Sequence, residues 1–221
     1  KLRATGWEPY FPTYLDAIHD DPDLAPSILD TIIAEGSVQL PRQPNIILIG
    51  LMGSGKTTIG RIVAQMINFQ LADTDHLIVE AAGKSIPAIF ESEGESGFRV
   101  LESTILRSLL GRRGAVISTG GGIITQPRNL PLLRHLGYIV WLDATPEQLA
   151  RRTSHNQDRP LLAGEEGHLA KLTRLLAERK PTYQALCDLR IKTAELAPPE
   201  TAYGIMESAR VFFTALQRQS A

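Results

Sequence analysis

The run Gly50-Leu51-Met52-Gly53-Ser54-Gly55-Lys56-Thr57 satisfies the pattern G-x-x-x-x-G-K-[ST] in full. Such a run can wrap a polyphosphate. Gly50, Gly53 and Gly55, with Ser54, let backbone N–H groups approach an anion closely, and the helix that follows adds its positive end. Lys56 would then reach the β- and γ-phosphates of a nucleotide, and the Thr57 hydroxyl would bind Mg²⁺. Thr58 reads as a helix residue beside the phosphates. The plain alternative, a glycine-rich turn between strand and helix, is disfavoured by the complete motif.

A second group is Asp73-Thr74-Asp75, at the end of a short apolar strand. In open parallel sheets ligands gather beyond the carboxyl ends of the strands, which brings both carboxylates near the phosphate loop. Asp73 suits Mg²⁺. Asp75 suits a phosphoryl acceptor, taking the proton from its hydroxyl. Phosphoryl transfer asks mainly for positioning and charge neutralisation, so one oriented carboxylate is sufficient. The competing reading makes Asp75 the N-cap of a helix starting at His76.

These groups need a scaffold. Ile46–Ile49 is a continuous apolar run, the mark of a strand buried on both faces of a parallel sheet. Further strands are expected at Phe69–Asp73, Ala115–Ser118, Tyr138–Leu142 and Arg190–Thr193. Helices fit at about 56–67, 85–111, 127–135, 146–153, 167–186 and 199–217. The alternation predicts an α/β fold, a central parallel sheet of about five strands with helices on both faces.

Composition sets outer limits. The 221 residues allow one α/β domain with an attachment, and 43% apolar with 21% charged residues is ordinary for a globular chain. The net charge of −1 gives no reason to expect nucleic acid or a membrane surface as partner. Charge is uneven: residues 1–44 hold three Lys/Arg against seven Asp/Glu, the remainder twenty against seventeen. Cys187 is the single cysteine, which excludes an internal disulfide and fits a cytoplasmic setting. No run approaches the ~18 apolar residues of a membrane span. Residues 1–44 form a Pro- and Asp-rich extension of unknown role, with a short amphipathic helix at Ala25–Ile33 and an extended linker at Leu40–Pro44. The chain opens at Lys1 rather than Met, which leaves room for trimming or for a longer multi-domain polypeptide.

Three further segments narrow the acceptor. They are Phe90–Glu102, with Arg99 and Glu102 at i and i+3; Gly120-Gly121-Gly122 after a strand; and Arg159-Pro160-Leu161-Leu162 followed by Arg179–Tyr183. Two arginines could hold a carboxylate by charge-assisted bonds, and three adjacent glycines offer amides at close range. Alone, Arg99–Glu102 reads equally well as a solvated pair, and the triple glycine as a loose turn.

With these motifs in order, the chain from about Asn45 to Phe213 resembles the shikimate kinase family. The resemblance implies a P-loop kinase fold with a lid loop at about 153–167 and a helical substrate-binding region at about 75–105, within a kinase-like domain spanning 45–221. It implies ATP-dependent phosphorylation of shikimate, with ATP and Mg²⁺, by a monomer. Matched by motif, Asp75, Arg99, Gly120, Gly121, Gly122 and Arg179 look like the shikimate-binding set, and Asp75 like the catalytic base. Arg159 looks like the lid arginine on the transferring phosphate, Arg152 and Pro198 like the pair that sandwiches adenine, and Glu102 like the acid that orients the substrate arginine. No motif position is substituted, which implies an active enzyme.

Rival readings are a gluconate or nucleotide kinase, which should lack the Arg99, triple-glycine and Arg179 combination, and a regulator that reuses the fold as a ligand sensor. The latter is disfavoured by intact Lys56 and carboxylates, and by an extension that is acidic and too short for a complete helix-turn-helix domain. The polar run Thr153–Asp158 reads as a mobile loop that could carry Arg159 over a nucleotide. His155 and His168 have no zinc spacing. Cys187 and Trp141 read as packing, and Phe90 and Phe98 equally as pocket wall or core.

Overall fold

The computed structural model describes residues 42–154 and 167–219. The expected helix at 25–33 and the residue Arg159 lie outside them. Five strands, β1 (Ile46–Ile49), β2 (Gln70–Asp73), β3 (Ala115–Ser118), β4 (Tyr138–Asp143) and β5 (Leu189–Lys192), form one sheet in the order β2-β3-β1-β4-β5. All pairings are parallel; Ile47 of β1 lies between Ile117 of β3 and Ile139 of β4.

Alternation along β1 explains the layers. Side chains of successive strand residues point to opposite faces. Ile47 and Ile49 pack into a core with Leu106, Leu133, Trp141 and Tyr183, while Ile46 and Leu48 pack into a second core with Ile59, Val63, Ala202 and Ile205. The first core is closed by α3 (Ile86–Ser108), α4 (Asn129–Leu136) and α6 (His168–Leu186), the second by α1 (Lys56–Ile67) and α7 (Pro198–Gln219). The sheet is therefore covered on both faces, as its apolar strands require. Edge strand β5 alternates half-buried and exposed residues because the face carrying Leu189 and Ile191 packs on the second core while Arg190 and Lys192 point away from it.

Sequence expectations hold for β1, β3, α1 and α5 (Pro146–Thr153) to the residue. Elsewhere there are corrections. Phe69 precedes β2, and β5 runs from Leu189 to Lys192 and so omits Thr193. The helix after β2 is α2 (Thr74–Ala82), and its N-cap is Asp73, not Asp75: the Asp73 carboxylate accepts from the N–H groups of Asp75 and His76. The expected helix at 85–111 ends at Ser108 and is broken at Gly94, whose φ of 71° and ψ of −176° lie outside helical space and in a region that favours glycine. A 3₁₀ turn, Ile123–Thr125, precedes α4.

Around α2 and the first half of α3 a satellite core gathers Ile78, Ile89 and Phe98, with Phe90 against Phe98 at 4.8 Å. Phe98 is thus core, and neither ring lines the cleft described below. Trp141 is fully buried in β4, and Cys187 caps the end of α6 half-buried against the first core. Among the described residues no helix is long and apolar enough to cross a membrane.

Candidate active site

The β1–α1 loop, the ends of β2 and β3, and the start of α7 enclose a cleft of about 410 Å³. Gly53, Ser54, Gly55, Lys56, Thr57 and Thr58 line it, as the motif predicts, together with Asp73, Asp75 and Gly121. Gly50 contributes differently. Its carbonyl accepts from Lys56 Nζ at 2.8 Å, beside that of Leu51 at 3.0 Å. Lys56 is buried, and carbonyl dipoles hold its ammonium within the loop. Phosphate oxygens are stronger, charged acceptors and can draw it outward.

Thr57 Oγ1 donates to Asp73 Oδ2 at 2.7 Å and lies 3.4 Å from Ser118 Oγ. The donors at this point are two hydroxyl oxygens and a carboxylate. Among the described residues no three His, Cys, Asp or Glu side chains cluster in a way that could enclose a metal. A hard cation that keeps most of its waters and takes remaining ligands from substrate phosphates fits such a set; a softer ion needing a full protein cage does not.

Arg152 lines the cleft with Pro198, Thr193, Leu196 and Thr201. Its guanidinium faces the Gly53 carbonyl, the Thr193 hydroxyl and the Thr193 carbonyl, each at 3.4 Å. The pair expected at Arg152 and Pro198, separated by 46 positions in sequence, is therefore brought to one wall.

A second group adjoins the cleft. Arg99, in α3, donates to Glu102 Oε2 at 2.5 Å and to Glu95 Oε1 at 2.9 Å. Arg99 and Glu102 are both buried, which removes the solvated-pair reading. Burial pushes the Glu102 carboxyl above the ordinary range, against the pull of Arg99 and with help from Asp75. At Arg99 burial works downward, but the charge and hydrogen bond of Glu102, then those of Glu95, outweigh it and raise the guanidinium. Both shifts are upward but favour opposite charge states, neutral Glu102 and charged Arg99, because Glu102 is the more deeply enclosed and also faces a second carboxylate.

The triple glycine is where these groups meet. A Cβ on Gly120 would stand 2.8 Å from Asp75 Oδ1 and collide with Glu102 Oε1; one on Gly122 would collide with the Arg99 guanidinium. Close approach therefore demands glycine at both. The Gly121 carbonyl accepts from Arg179 at 3.0 Å and from the Tyr183 hydroxyl at 2.8 Å, and the Gly120 N–H donates to Thr74 Oγ1 at 2.9 Å. Asp75 and Gly121 belong to both groups: each lines the cleft and each touches the guanidinium–carboxylate cluster or its partners.

Sequence reasoning missed Tyr183, Thr74, Glu95, Thr193 and Thr201. Two had a legible signal. Tyr183 follows Arg179 by four residues and Glu95 precedes Arg99 by four, so each shares a helix face with an arginine already singled out. Thr193 follows the last strand and Thr201 sits in the first turn of α7, where only the topology marks them.

Comparison with known proteins follows the same outline. A family model described as shikimate kinase matches residues 52–210. The chain is similar to a shikimate kinase from Cupriavidus pinatubonensis, 44% identical over 153 residues, covering 69% of this chain and 79% of that protein. It is similar to a shikimate kinase from Neisseria gonorrhoeae, 47% identical over 149 residues, covering 67% of this chain and 87% of the relative. Among solved structures, the shikimate kinase from Acinetobacter baumannii in complex with shikimate superposes with a TM-score of 0.72 at 41% identity, over 75% of this chain and 92% of that one.

Proposed function

The chain belongs to the shikimate kinase family and is a phosphotransferase that moves the γ-phosphoryl group of ATP to shikimate, and we propose that the cleft and the adjoining cluster divide that task. The phosphate loop takes ATP. Lys56 leaves the Gly50 and Leu51 carbonyls for the phosphate oxygens, and Arg152 and Pro198 flank the base. Mg²⁺, held by Thr57 and Asp73, would neutralise charge on the phosphates. Shikimate lies against Asp75, Arg99, the Gly120–Gly122 turn and Arg179. Its carboxylate meets the guanidinium groups, and Asp75 accepts the proton of the hydroxyl that attacks. Arg159 supplies positive charge to the transferring phosphoryl group. The unit is residues 45–221, with the acceptor region at about 75–105 and the lid at about 153–167, acting as a monomer in the cytoplasm.

What supports this division is the shared position of Asp75. It is on the cleft wall with the phosphate loop and also against Gly120, beside Glu102. A carboxylate between a polyphosphate cradle and a cluster of guanidinium groups suits a base that acts between phosphoryl donor and acceptor. Asp75→Asn tests it: turnover should fall by at least about 10²-fold, the scale of a removed general base, with ATP affinity within about twofold. Equal losses in both would assign Asp75 to scaffolding.

A further inference from the structure

Arg179 and Tyr183 lie one turn apart on α6 and donate to the same acceptor. Arg179 Nη1 reaches the Gly121 carbonyl at 3.0 Å and the Tyr183 hydroxyl reaches it at 2.8 Å. Tyr183 is fully buried, and its ring stacks on Trp141 at 5.6 Å and 20°. A carbonyl oxygen has two lone pairs, so these two donors fill it. We propose that Tyr183 is a positioning residue for shikimate: by occupying one lone pair of the Gly121 carbonyl, it confines Arg179 to the other and leaves the rest of that guanidinium directed at the acceptor's carboxylate. The inference rests on the reading of Arg179 as part of the acceptor site.

The physical argument has three parts. A guanidinium carries five N–H donors in a rigid fork. Offered a carbonyl with both lone pairs open, it can centre on that oxygen and turn its fork from the ligand. With the phenol in place one lone pair is taken, and a single Arg179 N–H bonds the carbonyl. Second, the peptide between Gly121 and Gly122 is planar and trans, so fixing the carbonyl toward α6 fixes the Gly122 N–H on the opposite side. Third, the donor is permanent. Burial pushes the Tyr183 phenol well above its ordinary range, against the nearby charge of Arg179, so it stays protonated at all working pH values.

Tyr183→Phe tests the proposal, because the remaining ring keeps its stack on Trp141. The KM for shikimate should rise about fivefold, the scale of one neutral hydrogen bond, while the KM for ATP and the melting temperature hold. In an Arg179→Met background the same change should add less than about twofold, since a residue acting through another loses its effect when that other is gone. An unchanged shikimate KM in Tyr183→Phe, an equal rise for ATP with a lowered melting temperature, or full additivity with Arg179→Met would each overturn it. If Arg179→Met itself leaves the shikimate KM unaltered, the assignment of Arg179 falls and this inference with it. A large Arg179→Met effect beside a silent Tyr183→Phe overturns the inference alone.

Discussion

Arg99 and Glu102 form a buried ion pair at 2.5 Å within one turn of α3, against the glycine turn that follows β3. The pair locks the guanidinium before any ligand arrives. Lone buried charges are costly, so breaking it should be felt in the fold as well as in binding. Glu102→Ala should destabilise by about 3 kcal/mol, the lower end for an orphaned buried charge because Glu95 still holds Arg99. Urea unfolding measures this; a change below about 1 kcal/mol would mean the pair is replaceable by water.

The same residue predicts a pH dependence. Burial raises the folded-state pKa of Glu102 above the unfolded value. The folded chain then holds this proton more tightly, so the contribution is fully present below the ordinary glutamate range and is lost as pH rises through the folded value. Comparing unfolding free energies of wild type and Glu102→Gln from pH 4 to 8 isolates it. The stability of Glu102→Gln relative to wild type should rise with pH above the ordinary glutamate range and level off above the folded value, and a constant difference would contradict the shift.

Gly122→Ala places a methyl group where the Arg99 guanidinium now sits. The guanidinium must move, and a displaced charged hydrogen bond costs about 1.5–3 kcal/mol, or roughly 10- to 100-fold in shikimate KM. Nucleotide affinity, measured by ADP titration, should change little, because Gly122 is not on the cleft wall.

Asp73 serves two purposes that can be separated. As N-cap it supports α2, and Asn caps as well as Asp does. As an anion beside Thr57 it suits Mg²⁺. Asp73→Asn should therefore keep the melting temperature while raising several-fold the Mg²⁺ concentration for half-maximal turnover. An unmoved Mg²⁺ requirement would leave Asp73 a cap alone.

Much of this was legible before the fold. The phosphate loop is contiguous, so its chemistry and spacing appear together in one stretch from Gly50 to Thr57. Ile46–Ile49 and Tyr138–Leu142 announce themselves because a strand covered on both faces has no polar side to blur the pattern. Other features depend on contacts between distant segments. That Asp73 and not Asp75 caps α2 is decided by backbone angles at the strand end, which neighbouring carboxylates in sequence do not distinguish. The break at Gly94 lies in an otherwise helix-compatible run and shows only as a dihedral. Tyr183 shares a helix face with Arg179, which is legible, but the carbonyl it bonds belongs to Gly121, 62 positions away, and only the fold brings the two together.

The most direct test of the central claim is ADP release from Mg²⁺·ATP with shikimate, beside gluconate and nucleoside monophosphates as alternative acceptors. Release that requires shikimate and is lost by at least about 10²-fold in Lys56→Ala, with the fold retained, is the predicted result. Release driven equally by gluconate or a nucleoside monophosphate, or undiminished turnover in Lys56→Ala, would contradict it.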